Sequence, residues 1–221
     1  MKMKMYKNIM LVTLLLTGII ISCKKSSDSK NYTAVIKDKT WWGVFTYTGK
    51  DAEYYSIQFN ADNTLVWSQF SGDYTGKWVV NGKELTMTFD VSKAEIKAGI
   101  RDDDKLLNIT DNTGNFEMNT GQLIANPNIP LDNTEWKGKI ITGTPYLVNM
   151  SFRPPLKVDI QISYTYTNNS YKRSASGAVI RADIKPVGTG ASTYFFGIMI
   201  SATEMMGSEK NANNQWKATK Q

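Results

Sequence analysis

Val158-Asp159-Ile160-Gln161-Ile162-Ser163-Tyr164-Thr165-Tyr166 is the stretch on which the fold turns. Every second residue is apolar and those between are polar. Successive side chains of a β-strand point to opposite faces, so this stretch reads as a strand with one oily and one wet side. The same period of two recurs earlier in the chain. Tyr55, Ile57 and Phe59 alternate with Ser56 and Gln58, Leu85, Met87 and Phe89 with Thr86 and Thr88, and Ile96, Ala98 and Ile100 with Lys97 and Gly99.

Turn chemistry separates these runs: Asn60-Ala61-Asp62-Asn63, Ser71-Gly72-Asp73, Asn81-Gly82-Lys83, Asp102-Asp103-Asp104 and Asn112-Thr113-Gly114. Asn81-Gly82 is the strongest hairpin signal and predicts a type I′ turn, with positive φ at both central residues. No stretch carries apolar residues at helical spacing over three turns. Residues 91–98 read equally as a short helix or a strand, and 184–192 as a longer loop. Short strands joined by tight turns predict an antiparallel meander, and a sheet with one apolar face must close on itself or pack on another.

The chain says much the same thing twice. Ile36-Lys37-Asp38-Lys39-Thr40-Trp41-Trp42-Gly43 aligns with Leu131-Asp132-Asn133-Thr134-Glu135-Trp136-Lys137-Gly138. Tyr55-x-Ile57-x-Phe59 then matches Val148-x-Met150-x-Phe152, and Gly76-Lys77-Trp78-Val79 resembles Gly177-Ala178-Val179-Ile180. Asn126-Pro127-Asn128-Ile129-Pro130 reads as the linker. The expected organisation is two tandem small antiparallel meander β-barrels, residues 35–126 and 127–221. The first copy has room for roughly eight short strands at this spacing.

Ahead of them, Met1 to Asn8 carry three lysines and Ile9 to Ile21 are almost wholly apolar. That apolar run is short of the ~20 residues a membrane-spanning helix needs and suits the core of a signal peptide. It ends in Ile20-Ile21-Ser22-Cys23, which resembles the bacterial lipobox. The resemblance implies a signal peptide over 1–22, cleavage before Cys23, and acylation of Cys23 as the lipid attachment point. Residues 23–34 then form the lipidated Cys and a polar tether. Each buried acyl CH₂ contributes about 0.8 kcal/mol, so multiple chains give stable anchoring. The implied location is the outer membrane, lipid-anchored. Lys24 and Lys25 beside a single Asp28 leave the periplasmic and cell-surface faces both open.

Composition removes much chemistry. The chain of 221 residues has no His, and its one Cys is Cys23. There is no imidazole base, no Ser-His-Asp triad and no His/Cys zinc site, and no internal disulfide can form. No catalytic residue, metal or cofactor is therefore assigned. Lys2, Lys4 and Lys7 supply three of the formal +6 charges, and the other basic residues form no stripe, so no nucleic-acid partner is expected.

Trp41 and Gly43, Phe59 to Thr64, Tyr74, Gly76 and Trp78, and Asn81 to Phe89 together resemble the lipocalin-like domains of Bacteroidetes lipoproteins. The second copy carries the pattern at Trp136, Gly138, its second strand and its end. The resemblance implies a non-catalytic binding module for a small apolar or glycan ligand. A structural or protein-interaction lipoprotein with filled barrels and an envelope partner is the alternative, and a carboxylate-based hydrolase a more distant one. Trp41, Trp42, Tyr55, Trp67, Trp78 and Trp136 are the candidate ligand contacts, since aromatic rings line apolar cups and stack on sugars. The competing role is core filler. Trp42 points opposite to Trp41 on a strand and is the better contact-surface candidate. Asp102-Asp103-Asp104 lacks calcium-loop spacing and reads as a solvated turn, and Met199, Met205 and Met206 read as core filler.

Overall fold

The computed structural model describes residues 30–47, 52–103, 105–112, 116–118, 121–124, 128–142, 144–162, 164–187, 192–209 and 214–221. The leader, Cys23 and the tether as far as residue 29 lie outside the described residues.

One turn of helix, α1 (Tyr32–Ile36), leads into a first sheet: β1 (Thr40–Tyr47), β2 (Glu53–Phe59), β3 (Thr64–Gln69), β4 (Gly72–Asn81), β5 (Glu84–Phe89), β6 (Glu95–Ile100), β7 (Lys105–Asp111), β8 (Phe116–Met118) and β9 (Gly121–Ile124). A second follows: β10 (Thr134–Ile140), β11 (Leu147–Arg153), β12 (Lys157–Gln161), β13 (Thr165–Arg173), β14 (Val179–Ile184), β15 (Thr193–Met199), β16 (Glu204–Glu209) and β17 (Asn214–Lys220). All pairings are antiparallel. β10 to β17 pair in sequence order, and β10 meets β17 with Trp136 opposite Lys220 and Ile140 opposite Trp216, closing an eight-stranded barrel. The first sheet runs as a meander from β1 to β7 and curls until β9 and β8 pair along the free side of β1. Among the described residues it holds nine strands where roughly eight were expected, because the return after β7 is divided into two short strands on the one long β1.

The alternation in the sequence becomes an interior for each barrel. Tyr55, Ile57, Phe59, Leu85, Met87, Phe89, Ile96, Ala98 and Ile100 all lie in the first core, with Val35 and Ile36 of α1 packed into the same cluster. Val148, Met150, Phe152, Val158 and Ile160 lie in the second. Residues 95–100 adopt the strand option, not the helical one. At the tip of β4–β5 the two central residues are Gly82 and Lys83, and of these only Gly82 has positive φ (58°). That is the type II′ pattern, shifted one residue from the expected type I′ turn. The decisive stretch 158–166 also differs from a single strand. Ile160 pairs with Tyr166 across a tight hairpin that Ile162 N–H closes on Tyr164 O at 3.0 Å. Tyr164 sits at the bend and is 66% exposed, while Tyr166 turns back into the core.

The stretches around Trp41 and Trp136 share backbone detail. Asp38 and Asn133, three residues ahead of Trp41 and Trp136, both sit at φ 58°. Both tryptophans are fully buried, and each is followed two residues later by a glycine. A Cβ on Gly43 would lie 2.4 Å from Tyr55 Oη, and one on Gly138 would meet the Lys217 carbonyl.

Residues Tyr32–Gln221 form one compact unit, because the barrels share a packed seam. Tyr54 of β2, Val179 of β14, Phe196 and Ile198 of β15 and Ala178 form a third apolar cluster, with Trp42, Val44, Phe70, Ile200 and Met206 against it. These are outward-facing residues of both barrels. Arg181 donates to the Gln69 and Gly72 carbonyls at 2.7 and 2.9 Å, pairs with Asp73 at 2.9 Å and covers the Phe196 ring. Tyr54 Oη donates to Gln215 Oε1 at 3.3 Å, and burial pushes its pKa up to about 12. A charge placed at the centre of this seam would be buried without a partner, at a cost of several kcal/mol. Phe196→Asp is therefore expected to split one cooperative unfolding transition into two, which differential scanning calorimetry would register. A single unshifted transition would contradict a shared seam.

Candidate functional site

The barrel interiors place most of the sequence candidates. Trp41, Tyr55, Trp67 and Trp78 are all buried in the first core. Tyr55 and Trp67 stack at 4.3 Å and 10°. Phe45 lies 6.0 Å from each, Phe89 meets Trp67 edge-on at 5.9 Å, and Phe59 meets Trp78 at 5.7 Å. Rings in these offset and edge-to-face arrangements occupy one another's contact surface. Trp67 Nε1 donates to Gln69 Oε1 at 2.8 Å and Trp78 Nε1 to the Thr64 carbonyl at 3.1 Å. The Tyr55 hydroxyl and Trp41 Nε1 are buried without a hydrogen-bond partner, and burial drives the Tyr55 pKa well above the ordinary phenol value.

Trp136 lies in the other core, its Nε1 donating to Thr134 Oγ1 at 3.0 Å. Two residues before Trp41 the chain has Lys39 where Thr134 precedes Trp136, so Trp41 lacks that acceptor. Trp42 is on the outer face of β1, half-buried against the second barrel. The six candidates thus do not converge: Tyr55 and Trp67 are in contact, Trp42 is on the seam and Trp136 is in the other barrel. In the acidic turn, Asp102 accepts from Tyr32 Oη at 2.7 Å and Lys83 Nζ at 3.3 Å, and Asp103 pairs with Arg101 at 2.8 Å. Among the described residues no group of three or more acids, His or Cys could hold a metal ion.

A polar group at one end of the second barrel was missed in the sequence. In an up-and-down barrel, alternate hairpin loops share an end. The strand ends that flank the β10–β11, β12–β13, β14–β15 and β16–β17 connections therefore lie at one rim. Facing inward beneath it is Glu209, the last residue of β16, only 5% exposed and opposite Phe195 and Asn214. Burial raises its pKa, while the Asn214 and Thr193 side chains act against that shift. The Thr193 hydroxyl stands close enough to favour the carboxylate but completes no hydrogen bond geometrically. Tyr166 feels the Glu209 charge and is raised by burial first, then by Glu209 and Tyr164. One pleat deeper, the Trp216 indole stacks on Phe195 at 4.7 Å and lies over Gly207 and Gly197, where a Cβ would come within 2.3 and 3.0 Å of the ring. Its Nε1 has no partner.

The rim itself carries exposed apolar side chains: Ile141, Tyr146 and Leu147 near β10–β11, Tyr164 at the β12–β13 bend, and Val187 after β14. Val187 N–H donates to the Thr165 carbonyl at 3.0 Å, which draws its loop against β13 beside Tyr164. Alternation in β16 was the only signal for Glu209. It places Met205, Gly207 and Glu209 on one face, and reading a lone terminal Glu as inward contradicts its chemistry.

Comparison of the chain with family models, with curated proteins and with solved structures gives no match. The class of protein is therefore defined by its architecture alone, a pair of antiparallel β-barrels joined along their outer faces.

The Glu209 shift has a sign that can be measured. A carboxyl whose folded pKa is raised stabilises the fold below the ordinary carboxylate pKa, and that contribution is lost as pH rises through the raised value. Glu209→Gln keeps an amide able to bond Asn214 and removes the ionisation. With the buried ionisation removed, the variant should melt measurably higher than the parent at pH 8, read by differential scanning calorimetry. The gain should vanish near pH 4. Equal melting temperatures across that range would mean the carboxylate is well solvated.

Proposed function

We propose that this chain is a lipid-anchored, non-catalytic binding module of the bacterial cell envelope: two tandem, related lipocalin-like barrels held at the outer membrane through acylated Cys23. The binding end is the rim of the second barrel, not the aromatic interior of the first. One observation carries that choice. Trp41, Tyr55, Trp67 and Trp78 contribute to a packed core, whereas Ile141, Tyr146, Leu147, Tyr164 and Val187 leave apolar surface in water at the end of the second barrel where Glu209 and Thr193 lie. Contiguous exposed apolar surface is a mark of interaction sites. The shared φ at Asp38 and Asn133 and the twin buried tryptophans support the tandem relation of the two copies. A chain without His, whose single Cys sits at the lipobox, supports a role without covalent chemistry.

The anchor is tested by Cys23→Ala. The variant should move from the membrane pellet to the soluble fraction, and continued membrane attachment would overturn the anchoring. The binding role is tested by native mass spectrometry of full-length protein taken from its own envelope. A bound small molecule or a stoichiometric envelope protein is the expected result. Ligand-free, partner-free protein under gentle release would count against a binding module.

A further inference from the structure

Glu209 is an acid where an acid is expensive. It points into a barrel, is almost completely buried, and forms no ion pair with Lys or Arg among the described residues. Buried charges are ordinarily paired. Two further polar groups near it are unfinished: Thr193 Oγ1, beside the carboxylate, and Trp216 Nε1, on the ring that lies over Gly207. Gly207 and Glu209 are alternate residues of one strand, so the indole and the carboxylate lie on the same inner face of the barrel. Tyr164, exposed at the β12–β13 bend, and Glu209 both act electrostatically on Tyr166, which puts them at the same end of the barrel.

We propose that this end of the second barrel binds a small organic ammonium ion: its charged nitrogen against Glu209, with Thr193 Oγ1 as a hydrogen-bond partner and its apolar body against Tyr164 and the rim. The proposal deepens the binding-module reading and rests on it for the existence of a ligand. Charge selects the class. An anion would be repelled by the carboxylate, and a neutral hydroxyl could donate a hydrogen bond but would leave the buried charge unneutralised. A calcium or magnesium ion asks for a set of about six oxygen ligands, and the described residues hold no acidic cluster. An ammonium group answers a single carboxylate, and aromatic faces such as Tyr164 attract organic cations. The small exposed fraction of Glu209 admits a slender group better than a bulky one.

The test is isothermal titration of the full-length protein with phenethylammonium and with its neutral twin, 2-phenylethanol. The ammonium is expected to bind at least about tenfold more tightly than the alcohol, a step that one charge-assisted contact can supply. Glu209→Gln should bring the ammonium down to the affinity of the alcohol while leaving the melting temperature at pH 8 equal or higher. Tyr164→Ala, at an exposed bend where folding is not at stake, should weaken the ammonium severalfold. Equal affinity for the two probes, binding of neither, or an ammonium affinity untouched by Glu209→Gln would each overturn the proposal. If the titration fails while envelope-derived protein carries a neutral ligand or a protein partner, only the ammonium site falls. If both fail, the binding-module reading falls as well.

Discussion

A strand has two faces, and water tolerates apolar surface on neither unless something covers it. Closing each sheet covers one face of every strand, so the inward set of each barrel is apolar and buried. That leaves the outward face to be polar, or to find a second cover. Most strands take the first course. β15 takes the second: Phe195 and Met199 fill the barrel, while Phe196 and Ile198 face the other way and are just as buried. The first barrel answers with Tyr54, Trp42 and Val44. The two barrels are thus tied together because one strand is oily on both sides, and the Arg181 contacts with Gln69, Gly72 and Asp73 fix how far along the seam they meet.

The same rule explains how differently the two interiors are finished. In the first, large rings complete the packing from Trp78 and Phe59 through to Tyr55, Trp67 and Phe45. In the second, one indole does comparable work because two glycines face each other across β15 and β16. Gly197 pairs with Gly207, and the missing side chains leave a slot that Trp216 fills. Packing of that kind is specific, since any added Cβ meets the ring directly. It also leaves the end of the barrel beyond Trp216 to smaller and more polar residues, Thr193, Asn214 and Glu209.

Strand identity was legible wherever one face met water. The runs at 55–59, 85–89 and 96–100 alternate cleanly, and their inward residues are the ones named from the pattern. Where the pattern failed, a competing constraint had won. At 158–166 the alternation continued unbroken through a hairpin, because a three-residue bend preserves the parity of the flanking strands and leaves no trace in a period of two. At 81–84 the Asn-Gly pair marked the right hairpin, but Gly82 took the first central position of the turn. The seam was written in the unbroken run Phe195-Phe196-Gly197-Ile198-Met199, which a strand covered on both faces produces. Of the ligand candidates, the aromatic residues were visible by type alone, and type does not separate a pocket wall from a core. Glu209 was invisible for the opposite reason: a charged residue at a strand end is normally read as solvent-facing, and only the closed register with Phe195 and Asn214 turns it inward.

That inversion is what gives Glu209 its weight. Sequence and fold agree at nearly every inward position of the second barrel, and local disagreement of this kind concentrates at strained or functional sites. A Gln would keep the shape and would avoid the burial of a charge, so stability alone favours the amide. The tyrosines nearby do not relieve the carboxylate, because Tyr166 is itself pushed toward its neutral form by burial and by the Glu209 charge. Nor does the seam, whose cation, Arg181, is committed to Asp73 and two carbonyls of the first barrel. What relieves a buried carboxylate at an apolar rim is a positive charge arriving from outside, and the rim is where the chain leaves the Tyr164 ring exposed to meet it.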